Sequence, residues 1–222
     1  MKLPPAAELV ALFRKRFADD PRAAYRDWFV LQEHLRDEAT AESLALARTL
    51  ASDLWDRRET VAFSSKGEEA TFLHNLAVFF GSRGPAESLE RSLSLFEESL
   101  DAAGPHGDLE AWARAWHNRG NALQNLARTA GDLRESLVSY ERALTVRDGS
   151  RRIARGVTLH ALGTLLRKLA EAEPLRREAH LRASVCAFEE SLSLRSEEGL
   201  ERGMAETAAA LADARRAISS GC

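Results

Sequence analysis

Apolar residues along much of the chain recur at helical spacing. Steps of four, three and four occur at Leu133, Leu137, Tyr140 and Leu144, and again at Leu181, Val185, Phe188 and Leu192. Residues at these steps share one side of an α-helix, whereas successive residues of a strand alternate between two faces. The pattern therefore predicts amphipathic helices, and we expect about ten of them with no strands.

Two short strings recur in the same order along the chain. The form His-x-x-small begins at His74, His117 and His160, at intervals of 43 residues. The form aromatic-Glu-x-small-Leu begins at Phe96, Tyr140 and Phe188, at intervals of 44 and 48 residues, with an insertion around residues 174–180 in the longer step. Periods of this length indicate stacked structural repeats. Each repeat is thus predicted to be a pair of helices.

The ends of the predicted helices carry recognisable signals. Capping boxes are predicted at Ser65 with Glu68 and at Asp132 with Glu135. Glycines that suit a left-handed helix end follow the second helices, at Gly104, Gly149 and Gly199. These signals divide the chain into a helical region at 1–64, for which a degenerate repeat is one interpretation, three repeats at about 65–107, 108–149 and 150–199, and a capping helix with a tail at 200–222.

The residues Trp116 to Leu123 (WHNRGNAL), followed by YERAL at 140–144, resemble a tetratricopeptide (TPR) repeat. The likeness covers roughly residues 68–196, and the period exceeds the family's usual length of about 34 residues. In length the repeats are similar to extended bacterial repeats found beside CHAT-type, caspase-like peptidases. The resemblance implies an all-α, right-handed solenoid of antiparallel helix pairs with a C-terminal capping helix.

The same resemblance implies a concave groove lined by the first helix of each pair. The residues it selects are His74, Asn75, Arg114, His117, Asn118, Asn121, Gln124, Asn125, His160, Thr164, Arg167 and Lys168. Most are hydrogen-bond donors and none is acidic, so the expected ligand is an acidic or carboxylate-bearing segment of a partner protein. Because histidine replaces the family's clamp lysine, recognition of a carboxyl terminus does not carry over. If the histidines become charged, binding should strengthen from about pH 7.5 to about pH 6.

Candidate chemistry is sparse. Equivalent residues of successive helix pairs lie roughly 10 Å apart per packed helix, so the three recurring histidines cannot share one zinc ion. A structural role and a ligand-facing role both stay open for them. Cys186 is predicted to be a small core residue, and Cys222 is the last residue. Nucleophile elbows, phosphate loops and zinc-protease motifs are absent, which favours a non-catalytic protein without metal or cofactor.

Charge and composition narrow the classes of partner. The formal net charge is −3, whereas nucleic-acid binders more often carry a basic surplus, so nucleic acid is an unlikely partner. The pairs Arg151-Arg152 and Arg176-Arg177, with Arg155, either contact phosphates or form ordinary solvated surface. No stretch approaches the roughly 20 apolar residues of a membrane span, and the start does not resemble a signal peptide. With two cysteines, a reducing, cytoplasmic setting fits best.

The favoured function is a protein-interaction adaptor. One alternative is a regulatory or sensor subunit of a bacterial effector, such as a separately encoded caspase-like peptidase. Another is a helical repeat that binds nucleic acid, and further alternatives are an all-helical enzyme and a purely architectural or self-assembling role. Nothing in the pattern specifies an oligomeric state.

Overall fold

The computed structural model describes residues 6–38, 40–83, 88–104 and 108–220. Within these ranges the chain forms ten α-helices and two short 3₁₀ helices, and it contains no strand. The expectation of an all-α fold with about ten helices is confirmed. None of the helices in these ranges combines the length and the apolar character needed to cross a bilayer.

The chain divides into two compact units, residues 1–102 and 103–222. The helices of the first unit are α1 (Ala6–Asp19), α2 (Pro21–Glu38), α3 (Ala41–Arg57), α4 (Lys66–Arg83) and α5 (Ser88–Ala103). Those of the second unit are α6 (Leu109–Leu126), α7 (Ala130–Val146), α8 (Arg152–Ala172), α9 (Arg177–Glu197) and α10 (Glu201–Ser219). The 3₁₀ helices are Arg58–Thr60 and Pro174–Arg176. The second unit thus holds two helix pairs and one further helix.

The helix starts follow the predicted capping signals in part. Ser65 Oγ accepts a hydrogen bond from the Glu68 amide (3.2 Å), and the Glu68 carboxylate accepts one from the Ser64 amide (2.9 Å). At α7 the capping box lies one turn earlier than predicted. Thr129 is the cap, and the Asp132 carboxylate accepts a hydrogen bond from the Thr129 amide at 2.9 Å.

Two of the three predicted glycine ends have the left-handed conformation. The φ angles are +63° at Gly104 and +67° at Gly199, where residues with a Cβ atom would be strained. Gly149 does not have a positive φ, so that prediction is wrong. The turn after α7 is closed instead by Asp148, whose carboxylate accepts a hydrogen bond from the Ser150 amide at 2.9 Å.

The two recurring strings meet inside each helix pair. Each histidine of the first helix packs against the aromatic ring of the second helix. The ring centroids lie 5.8 Å apart for His74 and Phe96, 5.6 Å for His117 and Tyr140, and 5.5 Å for His160 and Phe188. Because the strings form one contact, their joint recurrence has a direct packing cause.

The small residue three positions after each histidine makes room for the same ring. A Cβ atom on Gly120 would lie 2.7 Å from Cε1 of Tyr140, and one on Gly163 would lie 2.7 Å from Cε1 of Phe188. Carbon atoms in contact are normally about 3.5–4.0 Å apart. Ala77 holds the equivalent position in α4 and is fully buried. The first and second helices of the second unit therefore approach too closely for a larger residue at Gly120 and Gly163.

Buried serines connect the helices of each pair at further points. Their hydroxyls donate to main-chain oxygens of the first helix at 2.7 or 2.8 Å. The contacts are Ser92 to Ala77, Ser99 to Ala70, Ser136 to Gly120, Ser184 to Gly163 and Ser191 to Gly156. The sequence-based prediction, built on apolar positions, missed these serines, although they recur at the spacing of the aromatic string.

In the second unit, one buried arginine joins each helix pair to the helix that follows it. Arg147, at the end of α7, donates to the Thr158 hydroxyl on α8 at 2.7 Å. Arg195, near the end of α9, donates to the Thr207 hydroxyl on α10 at 2.9 Å. The two arginines lie 48 residues apart, as do Tyr140 and Phe188, so this spacing was the signal that could have identified them.

We expect Gly120→Ala and Gly163→Ala each to lower the free energy of unfolding by about 1 kcal/mol or more. Overpacking of this kind costs about 1–3 kcal/mol, which outweighs the gain of about 1 kcal/mol that alanine brings to a helix interior. Urea denaturation followed by circular dichroism measures the change. Gly67→Ala is the matched control, because the nearest atom to its added Cβ would lie 3.9 Å away. Stabilisation by all three substitutions would contradict the close packing.

Candidate functional site

The first helices of the second unit lie next to one another. Lys168 on α8 donates from Nζ to the main-chain oxygen of Gln124 on α6 at 3.2 Å. Nδ1 of His160 on α8 lies 3.1 Å from the hydroxyl of Thr207 on α10. The groove residues predicted on α6 and α8 are therefore carried by neighbouring helices.

One side of α6 carries polar residues at helical steps, and the equivalent side of α8 carries two apolar and two polar residues. On α6 the steps of four, three and four join Arg114, Asn118, Asn121 and Asn125, and on α8 they join Val157, Ala161, Thr164 and Lys168. We define the polar face as the six polar residues of these two stripes. Arg114, Asn125 and Lys168 are exposed, whereas Asn118, Asn121 and Thr164 are partly buried. Six of the twelve predicted groove residues thus lie on this face.

A hydrogen-bond network lies beneath the polar face on α6. The Tyr140 hydroxyl lies 2.7 Å from Oδ1 of Asn121 and 2.7 Å from Oε1 of Gln124, and it can donate to either. Nδ2 of Asn121 lies 3.1 Å from Nε2 of His117 and 3.2 Å from Oδ1 of Asn118. His117 and Gln124 are buried, so they support the face from below and are not on its surface.

The sequence-based prediction missed the part of the Tyr140 hydroxyl in this network. Of the three recurring aromatic residues only this one is a tyrosine, whereas Phe96 and Phe188 have no polar atom. Its hydroxyl reaches Asn121 and Gln124, and in the next repeat Thr164 and Arg167 stand at the corresponding positions. The tyrosine and the two amides thus occur together in one repeat and are replaced together in the next. This joint replacement was the sequence signal that could have indicated their contact.

The cations of the polar face have no carboxylate partners within the described ranges. Arg114 is exposed and forms no ion pair there, and Lys168 donates to a main-chain oxygen. Arg167, beside Lys168, lies 3.7 Å from a carboxylate oxygen of Asp213 on α10. The face therefore carries positive charge that the described part of the unit does not neutralise.

Burial disfavours the charged form of two histidines of the second unit, His117 and His160. Burial lowers the pKa of His117 to about 4, and the nearby Arg147 guanidinium contributes to the shift. Burial also lowers the pKa of His160, with a smaller contribution from Arg195. The expectation that these side chains become charged between about pH 7.5 and about pH 6 is therefore wrong for His117, and the pKa of His160 moves in the same direction. The reason is the aromatic contact that buries each ring.

The two candidates in the first unit make contacts within that unit. His74 is buried against Phe96. Asn75 donates from Nδ2 to the hydroxyl of Tyr25 on α2 at 3.0 Å. These contacts support packing of α4 against its neighbours. Their membership of a groove stays a prediction.

The basic cluster at the start of α8 is neutralised by neighbouring acids. The ion pairs join Arg151 to Glu110 (3.5 Å), Arg155 to Glu190 (2.7 Å), and Arg152 to Glu197 and Glu198. A phosphate bound here would have to compete with these carboxylates. The geometry therefore favours the solvated-surface interpretation of Arg151, Arg152 and Arg155.

Cysteine and metal chemistry receive no support from the described residues. Cys186 is exposed, so its prediction as a core residue is wrong. It lies two residues from buried Ser184, which places it roughly 200° around α9. Cys222 lies outside the described ranges. Across those ranges, no three His, Cys, Asp or Glu side chains are grouped closely enough to hold a metal ion.

We expect stability to fall on acidification through His117. The unfolded chain takes up a proton near the ordinary histidine pKa of about 6.5, whereas the folded chain resists protonation until about pH 4. Protonation of His117 should therefore lower the free energy of unfolding by about 3 kcal/mol as the pH falls through this window. Urea denaturation of the wild type and of His117→Gln, compared at several pH values, isolates this contribution. Parallel pH profiles for the two proteins would contradict a buried, neutral ring.

Known proteins resemble this chain in fold and not in sequence. No family model matches the sequence, and no curated protein matches it. The chain is similar in structure to the protein in a solved structure described as "Crystal structure of BtubC (BKLC) from P. vanneervenii". The TM-score is 0.54, the match covers 97% of this chain and 89% of that one, and the sequences are 14% identical. At this identity the likeness shows a shared helical fold alone.

Proposed function

We propose that this chain is a non-catalytic interaction scaffold of the TPR type, which binds an acidic segment of a partner protein on the polar face. A contrast between two sets of cations carries the proposal. The arginines at the start of α8 are each paired with a carboxylate, whereas Arg114 and Lys168 have no such partner in the described ranges. An incoming carboxylate can therefore pair with these two residues without displacing another acid.

The distance between the cations indicates the length of the segment. Lys168 is held at Gln124, ten residues after Arg114 on α6. At about 1.5 Å per residue, this separation is about 15 Å along the helix. An extended peptide advances about 3.3 Å per residue and alternates its side chains between two sides, so two acidic residues about four positions apart would match the cations.

The polar residues between the cations suit a peptide backbone. Asn121 is held by the Tyr140 hydroxyl and by Asn118, so its position is fixed before a ligand arrives. Asn125 is exposed and can donate and accept hydrogen bonds. A fixed face loses less side-chain entropy on binding than a mobile one. The right-handed solenoid is part of the same proposal, and the equivalent helix contacts of the three pairs support it.

We expect the double variant Arg114→Glu Lys168→Glu to bind an acidic peptide at least about tenfold more weakly than the wild type, since two attractive contacts become repulsive. The probe is a fluorescein-labelled decapeptide rich in glutamate, followed by fluorescence anisotropy. A decapeptide with glutamine at the same positions should bind weakly to both proteins.

The matched control is Arg182→Glu Arg202→Glu, which changes the net charge equally at two exposed residues away from the polar face. Circular dichroism should show unchanged helicity in both double variants. Equal loss of peptide affinity in both would indicate attraction by net charge and would refute a specific polar face.

We expect the affinity for the glutamate-rich peptide to change by less than about twofold between pH 6 and pH 7.5. Arginine and lysine side chains keep their charge throughout this range, and His117 stays neutral because its pKa is about 4. The same anisotropy titration, repeated at three pH values, measures the effect. A several-fold gain at pH 6 that His160→Gln abolishes would assign binding to a titrating histidine.

A further inference from the structure

The polar face borders an apolar stretch at the start of α8. Ile153, Val157 and Ala161 come before Thr164 and Lys168 on one side of this helix, at steps of four, four, three and four. Ile153 is 50% exposed and Val157 is 39% exposed. We name these two residues the apolar pair. Two large apolar side chains thus lie in solvent on the same side of α8 as Lys168.

The neighbouring helix α6 carries charged residues at the equivalent positions. The offset of 43 residues between His117 and His160 matches Glu110 and Arg114 with the apolar pair. Glu110 pairs with the buried Arg147 at 2.9 Å, and Arg114 is an exposed cation of the polar face. The apolar pair is therefore a departure from the repeat. Because both of its side chains are exposed, the core does not require it.

The final helix gives the same comparison. Thr158 on α8 and Thr207 on α10 each accept a hydrogen bond from a buried arginine, and these threonines lie 49 residues apart. This offset matches the apolar pair with Arg202 and Glu206, which are exposed. Of α6, α8 and α10, only α8 thus places large apolar side chains in solvent at these two positions.

Contacts near both ends show that α6 and α8 run parallel. Near their starts, an ion pair joins Arg151 to α6 at 3.5 Å. Near their ends, Lys168 donates to the main-chain oxygen of Gln124 at 3.2 Å. Val157 lies eleven residues before Lys168, and Arg114 lies ten residues before Gln124. The apolar pair is therefore level with the Arg114 end of the polar face.

A cleft opens beside Ile153 at the start of α8. Its volume is about 350 Å³, and Ile153 and Ala154 contribute to its lining. Glu110 and Arg151, which form an ion pair between α6 and α8, also line it. Ligand pockets range from about 300 to about 1,000 Å³, so a cleft at the low end of this range suits one side chain. The surface beside the apolar pair can thus receive a single side chain of a partner.

We propose that the apolar pair makes the polar face selective for acidic segments that also carry a large apolar side chain, such as leucine, at a set distance from their acids. This inference rests on the proposed function and specifies the partner more closely. The cations of the polar face attract and position the acids. Contact between the leucine and the apolar pair removes apolar surface from water, which is favourable. Acidic segments without such a residue lack this second contact.

The spacing within the segment follows from the rise of the helix. The midpoint of the apolar pair lies about thirteen residues before Lys168, which is about 20 Å along α8. An extended peptide covers this distance in about six residues. The acid at Arg114 lies about four positions from the acid at Lys168, so the leucine lies about two positions beyond it. These even intervals place all three side chains on one side of the segment.

The test uses fluorescein-labelled decapeptides of serine and glycine that carry two glutamates four positions apart. One peptide has leucine two positions after the second glutamate, and another has it two positions before the first, because the segment can run in either direction. The reference peptide has serine at both places. We expect one of the leucine peptides to bind the wild-type chain at least about fivefold more tightly than the reference in fluorescence anisotropy. The chain variant Ile153→Ser Val157→Ser should remove this gain and leave the affinity for the reference unchanged.

The matched control is Val138→Ser Leu175→Ser, at two exposed apolar residues on α7 and in the turn after α8. Val138 lies roughly 200° around α7 from Tyr140, which packs against α6. This variant should keep the full gain from leucine. Circular dichroism should show unchanged helicity in both double variants. Arg114→Glu Lys168→Glu should weaken binding of the leucine peptides and of the reference alike.

Three results would overturn the proposal and leave the polar face intact. One is equal binding of the reference and both leucine peptides to the wild type. Another is a gain from leucine that persists in Ile153→Ser Val157→Ser. The third is a dimer of the free chain that this variant converts to a monomer in sedimentation equilibrium, which would assign the apolar pair to a second copy. If none of the three peptides bound the wild type, the polar face itself would be refuted, and the selectivity with it.

Discussion

Close contact between an aromatic ring and a small helical residue determines how the helix pairs of the second unit form. Tyr140 and Phe188 lie against Gly120 and Gly163, where a Cβ atom would be only 2.7 Å from the ring. Glycine inside a helix costs about 1 kcal/mol relative to alanine, so the contact must return at least that much. Close approach also brings the serine hydroxyls to the main-chain oxygens. Each pair is therefore held by ring packing and by buried hydrogen bonds together.

The same contact divides every first helix into two sides. The side towards the second helix carries the histidine and the small residues. The recurring histidines therefore pack against the aromatic rings of the second helices. On α6 the other polar residues remain accessible, and the Tyr140 hydroxyl holds Asn121 and Gln124 beneath them. On α10 the corresponding positions, Ala205, Ala209 and Ala212, are exposed. The proposed polar face thus follows from this division of the first helices.

Much of the fold could be predicted because helical spacing and repetition are local properties of the sequence. The final helix, expected within residues 200–222, spans Glu201–Ser219. The orientation of His117 could not be predicted in this way. Its position borders both sides of α6, and the choice depends on where the ring of Tyr140 lies. The prediction that Cys186 is a core residue was wrong for a related reason. One small side chain beside the apolar stripe of α9 does not establish whether it faces the core or the solvent. Arg147 and the buried serines form hydrogen bonds between different helices. The sequence shows only the spacing of these residues and not their partners.

The account rests on a polar face that is formed before a ligand arrives and that binds acidic side chains through Arg114 and Lys168. Chemical-shift mapping by NMR, with isotope-labelled chain and the unlabelled glutamate-rich peptide, tests this most directly. The account predicts the largest changes at the amides around Arg114, Asn125 and Lys168, and at the Arg114 side chain. Changes concentrated on the exposed sides of α7 and α9, or at the arginines that begin α8, would contradict it.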